Sequence, residues 1–323
     1  MMKLSNTIKM IPFTHDHVEQ ARRIAFTEYE AERSYVKSLL QIMDIPDLSS
    51  FADFKRGVAA VEGDQLVGYM CFYPPVKDAF GTTNTKGTFS PIHAHGVIGE
   101  NRELIYSLLY QEAAKVLVDE GIISHAIALY AHDQEAIKSF YQYGFGLRCM
   151  DAIRLLDELP MNDITSYTYE ELPKVNWGKL TNFTNMLISH LGDSPTFMNF
   201  PSMSEEEFLE ILSEDHRFFV AKDEEKVIAY MKIGNEGETF ITGNQTMRNI
   251  VGAFCLPEYR GTGVYQNLLA HVIATLKKEG FLYLGVDFES FNPTARGFWL
   301  KHFEAYTNGV VRRIDEKSVK GNN

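Results

Sequence analysis

Disulfide chemistry has little to work with in this chain. Three cysteines, Cys71, Cys149 and Cys255, stand far apart among 323 residues. An odd and scattered set gives neither a disulfide framework nor a C-x-x-C metal knuckle, and it fits a reducing compartment. Long apolar runs are missing too. Nowhere do about 18 apolar residues follow one another, the length a bilayer crossing needs. Met1 to Pro12 carry Lys3, Ser5, Asn6 and Lys9 where a secretory leader would be apolar. Glycine and proline are modest, at 23 and 11, which excludes collagen-like and low-complexity classes. Positive charge is scarce: 31 Lys and Arg against 43 Asp and Glu leave a formal net charge of −12. Such a surface repels phosphate backbones and anionic lipid heads, so neither nucleic acid nor membrane is an expected partner. A cationic amine suits it better.

What is present is an ordinary globular composition, 45% hydrophobic and 12% aromatic. At roughly 150 residues per domain the length suggests two domains. The expectation is a cytoplasmic protein of two domains, monomeric or homodimeric, each domain with its own core.

One unit is used twice. Val58–Val61 and Leu66–Phe72 flank the turn Glu62-Gly63-Asp64-Gln65, and Phe218–Ala221 and Val227–Ile233 flank a similar polar turn. Leu104 to Gly121 and Val264 to Gly280 are both amphipathic helix patterns with a Gly stop. Strand-like runs follow, Ile122–Tyr130 and Phe281–Phe288, and then short aromatic helices around Phe140-Tyr141 and Phe298-Trp299. Tyr69 corresponds to Tyr230, Gly121 to Gly280 and Tyr141 to Trp299, at a nearly constant offset of about 160 residues, the mark of a duplication. Polar, turn-rich sequence between Asp157 and Pro173 places the boundary, giving domains 1–160 and 161–323. Strand runs with helices around them predict an α/β (α+β) fold, with a mixed, mostly antiparallel sheet in each half.

The sharpest local signal is in the second half. The apolar strand Ile250–Leu256 runs through Pro257-Glu258-Tyr259 into Arg260-Gly261-Thr262-Gly263-Val264-Tyr265 and a helix. A glycine-bearing turn at a helix N-terminus gathers backbone N–H groups around an anion, and the helix dipole favours that charge. A diphosphate fits there. No Lys-Ser/Thr follows the last glycine, as a P-loop requires, and Gln266 stands where a dinucleotide fingerprint wants Gly or Ala.

Cys255-x-Pro257-x-Tyr259-Arg260-Gly261-x-Gly263-Val264 resembles the acetyl-CoA diphosphate loop of the GNAT superfamily of N-acetyltransferases. Asn292-x-x-Ala295-x-x-Phe298-Trp299-x-Lys301-x-Phe303 resembles that superfamily's second signature. The resemblance covers about Trp177 to Ile314, and it implies two tandem acyl-CoA N-acyltransferase (GNAT) domains. The first is a degenerate copy, because Ser90 to Arg102 keeps only Gly96 and Gly99 and adds Glu100. The resemblance further implies an acetyl-CoA-dependent transfer to a primary amine, small-molecule or peptide, in a ternary complex, with acetyl-CoA as cosubstrate. Phe254, Cys255 and Leu256 would hold the pantetheine arm like an added strand, and the N–H of Leu256 would stabilise the oxyanion. Arg260, Gly261, Thr262, Gly263, Val264 and Tyr265 would hold the diphosphate, with Asn292 and Trp299 alongside.

Two departures stand out. Trp299 occupies the place of the family's acid tyrosine, and indole does not donate a proton near pH 7; Tyr306 is a substitute within reach. Tyr265 stands where the pattern prefers Gly or Ala, and its ring either points away from the phosphates or crowds the loop. Asp287 and Glu289, two apart on a strand, share a face, and either is a candidate base. The departures leave open a second reading, a non-catalytic CoA-binding or interaction protein on a GNAT scaffold.

The remaining features read as structural. His93 and His95 alternate in a strand and so share a face, with no obvious third ligand unless the fold brings His132-Asp133 near, a pair better explained by packing than by a metal. Cys255 has no basic partner to activate it. Ser204-Glu205-Glu206-Glu207 reads as a capped helix start. Arg312-Arg313 and Lys317–Lys320 make too short a basic tail for nucleic acid. By analogy with the first helices of the family it resembles, Asn182–Asn199, with His190 and Asp193, would help form the acceptor wall.

Overall fold

A computed structural model describes residues 8–162 and 166–319. Asp163, Ile164 and Thr165, within the expected boundary segment, and Lys320, at the end of the basic tail, lie outside the described residues. So do the first seven residues of the N-terminal segment. Among the described residues no helix is long and apolar enough to cross a membrane.

The chain forms two compact units that do not follow a linear cut at 160/161. One comprises residues up to Met150 together with those from Ala305 onward; the other is Asp151–Glu304. The strand Gly146–Leu155 therefore passes from the first unit into the second. The strand Thr307–Arg313, written last in the sequence, belongs to the first unit. There it pairs antiparallel with Ile122–Tyr130, Thr307 opposite Tyr130 and Arg313 opposite Ser124.

In the first unit the strands Ile8–Pro12, Gly57–Glu62, Gln65–Cys71 and His95–Val97 form an antiparallel sheet in that order. Its helix Arg102–Asp119 places Ile105, Tyr106, Leu109, Tyr110, Ala113 and Leu117 in the core, where they meet Phe140 and Phe145. Ile122–Tyr130 is buried at every residue, as expected of a strand covered on both faces.

In the second unit the strands run Tyr167–Leu172, Arg217–Asp223, Lys226–Gly234, Met247–Cys255 and Tyr283–Glu289 across the sheet. Neighbours are antiparallel except the last two, which are parallel. The helix Val264–Lys278 buries Val264, Leu268, Leu269, Val272, Ile273 and Leu276, the face its periodicity predicts. Burying each such side chain is worth about 1.5–3 kcal/mol, and that packing fixes the angle at which the helix N-terminus meets the loop before it. Helix Glu205–Glu210 opens with a reciprocal capping box between Ser204 and Glu207.

Two irregularities mark this second sheet. A bulge between Lys232 and Ile233 leaves Val251 without a partner in the ladder. The parallel pairing also stops early: Met247–Ile250 face Tyr283–Val286, and beyond Ile250 the two strands no longer pair. Val251–Cys255 is left with one open edge in the middle of a sheet.

Candidate active site

The loop between the open-edged strand and its helix has the form the sequence suggests. Gly261 has φ of 76° and Gly263 a φ of 91°, a left-handed backbone that costs an L side chain about 1–2 kcal/mol. Gly263 caps the helix, and its carbonyl accepts from Asn267 N–H at 3.1 Å. Among the described residues no acceptor takes the N–H of Gly261, Thr262 or Gly263. Three uncommitted donors therefore surround the positive end of a helix of 15 residues.

Beside this loop lies a pocket of about 280 Å³, lined by Ala253, Phe254, Cys255, Arg260, Gly261 and Tyr265 on one side. Leu187, His190, Asn292, Thr294, Ala295, Phe298 and Trp299 complete it. Seven of the residues expected at the coenzyme are thus brought together: Phe254, Cys255, Arg260, Gly261, Tyr265, Asn292 and Trp299. Val264, buried, belongs to the helix core instead; Thr262 and Gly263 contribute through their position in the loop.

Arg260 donates Nε–H to the Cys255 carbonyl at 3.0 Å, and its guanidinium lies 5.3 Å from the centre of the Phe254 ring. Its two terminal nitrogens carry no partner among the described residues, so they are free to meet phosphate oxygens. Asn292 caps the last helix, accepting from Ala295 N–H and from the Thr294 hydroxyl. Tyr265 neither points away nor fills the loop: its hydroxyl donates to the Tyr230 carbonyl at 3.3 Å. Its ring packs 5.0 Å from Phe298 and 6.2 Å from Trp299. The ring is part of the pocket wall.

The expected oxyanion donor is corrected. Leu256 N–H is already donated to the Ile228 carbonyl at 3.0 Å. Because an antiparallel ladder alternates, Cys255 and Ala253, opposite Ala229 and Met231, turn their N–H and C=O groups to the other edge. That is the open one. Ala253 and the N–H of Cys255, whose carbonyl already holds Arg260, and not Leu256, present the main-chain groups an extended ligand would pair with. Burial pushes the Cys255 thiol up to about 11, so at neutral pH it is a thiol and a poor nucleophile.

Asp287 lines a second recess, of about 430 Å³, with Val251, Lys232, His216, Ile211, Glu236, Gly237 and Glu238. Solvent reaches its side chain on the floor of this recess, yet protein surrounds it closely. That crowding, with repulsion from Glu238 added, pushes its carboxyl up to about 6. Val251 and Asp287 sit just past the last paired residues, Ile250 and Val286, so this recess meets the open edge as the pocket beside the glycine loop does. Glu289 is half-buried two residues on and lines neither recess. Tyr306 is placed elsewhere: it is buried within the first unit, with its carbonyl accepting from Ala131 N–H, and it lines neither recess.

The first unit repeats the loop geometry without its chemistry. Gly99 has φ of 83° and Asn101 a φ of 60°, matching Gly261 and Gly263, and Ile98 N–H bonds the Val67 carbonyl as Leu256 bonds Ile228. But Arg102 turns back into the recess, paired with Glu28, Asp133 and Glu135. Glu32, 2% exposed, pairs with His132 at 2.8 Å. Burial holds Glu28 and Glu32 above the usual carboxylate range despite these partners. Four carboxylates line this recess of about 490 Å³, and a diphosphate would be repelled. His93 also departs from expectation. It lies in the turn before the strand His95–Val97, so the two histidines are not strand neighbours; His95 Nε2 bonds the Ala128 carbonyl at 2.7 Å.

Residues 185–304 match the model of the acetyltransferase (GNAT) family. This segment is a GNAT domain. It contains the open edge, the glycine loop and both recesses of the second unit. Over the whole chain the fold resembles a GCN5-related N-acetyltransferase from Sphaerobacter thermophilus. That likeness has a TM-score of 0.58 at 12% identity, with 96% of this chain and 97% of that one covered. It also resembles a GCN5-related glucosamine N-acetyltransferase region of a fungal multi-domain GH3 β-N-acetylglucosaminidase, with a TM-score of 0.52 at 12% identity. There 94% of this chain aligns with 38% of that one. No curated protein matches the sequence. The likeness in fold thus extends over both units, while the recess beside the first unit's loop is lined by carboxylates.

His190 lines the pocket beside the glycine loop and not the recess of Asp287. Burial lowers its imidazole pKa and Arg260 lowers it further, with Asp193 opposing. Lys232, His216, Glu236 and Glu238 were missed outright. One signal was available: Lys232 is the single charge between Val227 and Ile233, an odd residue for an apolar central strand.

Proposed function

We propose that the second unit is an acetyl-CoA-dependent N-acetyltransferase acting on a primary amine. The observation that carries this reading is the open edge at Ala253–Cys255 running into a loop with three uncommitted N–H groups. Together these form a socket for an extended arm ending in a diphosphate. Gly261, Thr262 and Gly263 would bind the phosphates with Arg260, Ala253 and Cys255 would pair with the arm, and Phe298, Trp299 and Tyr265 would wall it in.

The thioester then lies toward the recess of Asp287. The neutral amine nitrogen attacks the thioester carbonyl carbon; the C–N bond forms, the C–S bond breaks and the coenzyme leaves as thiolate. The proton released by the nitrogen passes to the Asp287 carboxylate. A carboxylate near 6 is ionised at neutral pH yet basic enough to assist. The buried, protonated state of Cys255 favours direct transfer over an acetyl-cysteine intermediate.

Titration calorimetry with acetyl-CoA, followed by thiol release over a panel of amines, tests the reading. Binding that Gly263→Glu abolishes, with turnover of at least one amine, is the expected result. Absence of binding at millimolar acetyl-CoA would sink the assignment. Binding without turnover of any amine would support the other reading, a coenzyme-binding protein without catalysis.

A further inference from the structure

The acceptor recess has two poles, and they carry opposite charge. Asp287 and Glu238 form one, on the side of the strand Tyr283–Glu289. Lys232 forms the other, on the strand Lys226–Gly234, facing Gly252 across the ladder. The lysine stem lies over Gly252, in ordinary contact range of where a Cβ would stand. A Cβ there would meet both Cβ and Cε of Lys232 at 3.4 Å.

Lys232 is half-buried, and among the described residues its ammonium has no hydrogen bond and no carboxylate within ion-pair distance. Ammonium groups taken out of water are normally paired. Other lysines at this unit's surface do pair, Lys222 with Glu170 for example. Burial lowers the Lys232 pKa and the Glu236 carboxylate opposes that, but Glu236 lies beyond ion-pair distance and has one oxygen on His216. His216 Nε2 bonds Glu236 at 2.9 Å, and its imidazole pKa is lowered chiefly by burial.

We propose that the acceptor is a zwitterion of amino-acid type, whose amine faces Asp287 and whose carboxylate is taken by Lys232. This rests on the transferase reading above. A recess of about 430 Å³ is of the size that encloses a small ligand, and a carboxylate on the acceptor supplies the partner Lys232 lacks. A plain amine would leave that ammonium unpaired, and a diamine would set a second positive charge against it. Selection works through binding, so Lys232 is a specificity-determining residue and takes no part in proton transfer.

The test compares free amino acids with their carboxamides and with the corresponding decarboxylated amines, by thiol release from acetyl-CoA. For the acceptors that react, kcat/KM should be at least about tenfold higher for the carboxylate form, the size of a single charge-assisted contact. Lys232→Met should raise KM for the carboxylate form and remove the preference. It should lower kcat/KM for the carboxamide by clearly less, and Lys232→Arg should restore part of the preference. Equal or better use of carboxamides and plain amines would overturn the zwitterion while leaving the transferase intact. So would a Lys232→Met variant that loses both substrate classes equally. A protein that binds acetyl-CoA and turns over none of the panel would overturn both.

Discussion

Replacing Asp287 by asparagine separates the base from the rest of the site. Crowding by protein, with Glu238 nearby, raises this carboxyl to about 6. A group at that value is about 9% ionised at pH 5 and about 91% at pH 7, so a step that needs the carboxylate gains about tenfold across the interval. An ordinary aspartate would already be about 90% ionised at pH 5, and its ionisation would add nothing to the rise that loss of the acceptor's own ammonium proton produces. Thiol release at saturating acetyl-CoA and amine, from pH 5 to 8, measures the difference. Asp287→Asn is expected to lower kcat by about 10²–10⁴, the usual contribution of a placed base. Stability carries the same signature with a definite sign. Between the free aspartate value and about 6 the folded state holds a proton that the unfolded chain has released. The wild type therefore loses stability as pH rises through that window. Asp287→Asn should accordingly be more stable than the wild type in urea at pH 8 and no more stable at pH 4. A wild-type profile parallel to that of the asparagine variant, with that variant within about threefold of the wild type, would refute the assignment of Asp287.

Gly263→Ala, placed at φ of 91°, should cost about 1–2 kcal/mol. That is a fall in Tm of about 2–8 °C for a unit of this size. Gly263→Asn should cost less, since Asn101 holds the matching position in the first unit; equal stability of all three proteins by thermal melt would contradict the loop geometry. Arg102→Gln removes the partner of Glu28, whose side chain is 7% exposed, and should cost about 3–5 kcal/mol in urea unfolding of the first unit. Acetyl-CoA affinity should stay unchanged. A loss of affinity with Arg102→Gln would place coenzyme in the first unit.

How much the chain discloses beforehand depends on which forces are local. Helix faces, the hairpins and the glycine loop rest on residues close in sequence. Val264 to Leu276 and Gly261-Thr262-Gly263 were accordingly readable from periodicity and from the demand for a left-handed turn. The commitments of individual N–H groups were not. Leu256 and Cys255 are neighbours in a strand, and only the ladder register, set by the bulge at Lys232, decides which faces the open edge. The exchange that puts Thr307–Arg313 beside Ile122–Tyr130 is equally invisible, because a strand's pattern says which face is buried and not which neighbour it joins. Lys232 and Asp287, 55 positions apart, meet across three strands, and nothing local connects them. Arg102 shows the converse: its glycine loop reads as degenerate in sequence, while the carboxylates that replace a phosphate come from distant Glu28, Glu32 and Asp133.

Amide chemical shifts test the diphosphate cradle most directly. On adding acetyl-CoA to labelled protein, the N–H resonances of Gly261, Thr262 and Gly263 should move downfield and saturate together, as three free donors acquire phosphate oxygens. Those of Gly99, Glu100 and Asn101 should stay in place. Movement confined to the first unit's loop, or three unmoved resonances at millimolar coenzyme, would contradict the account.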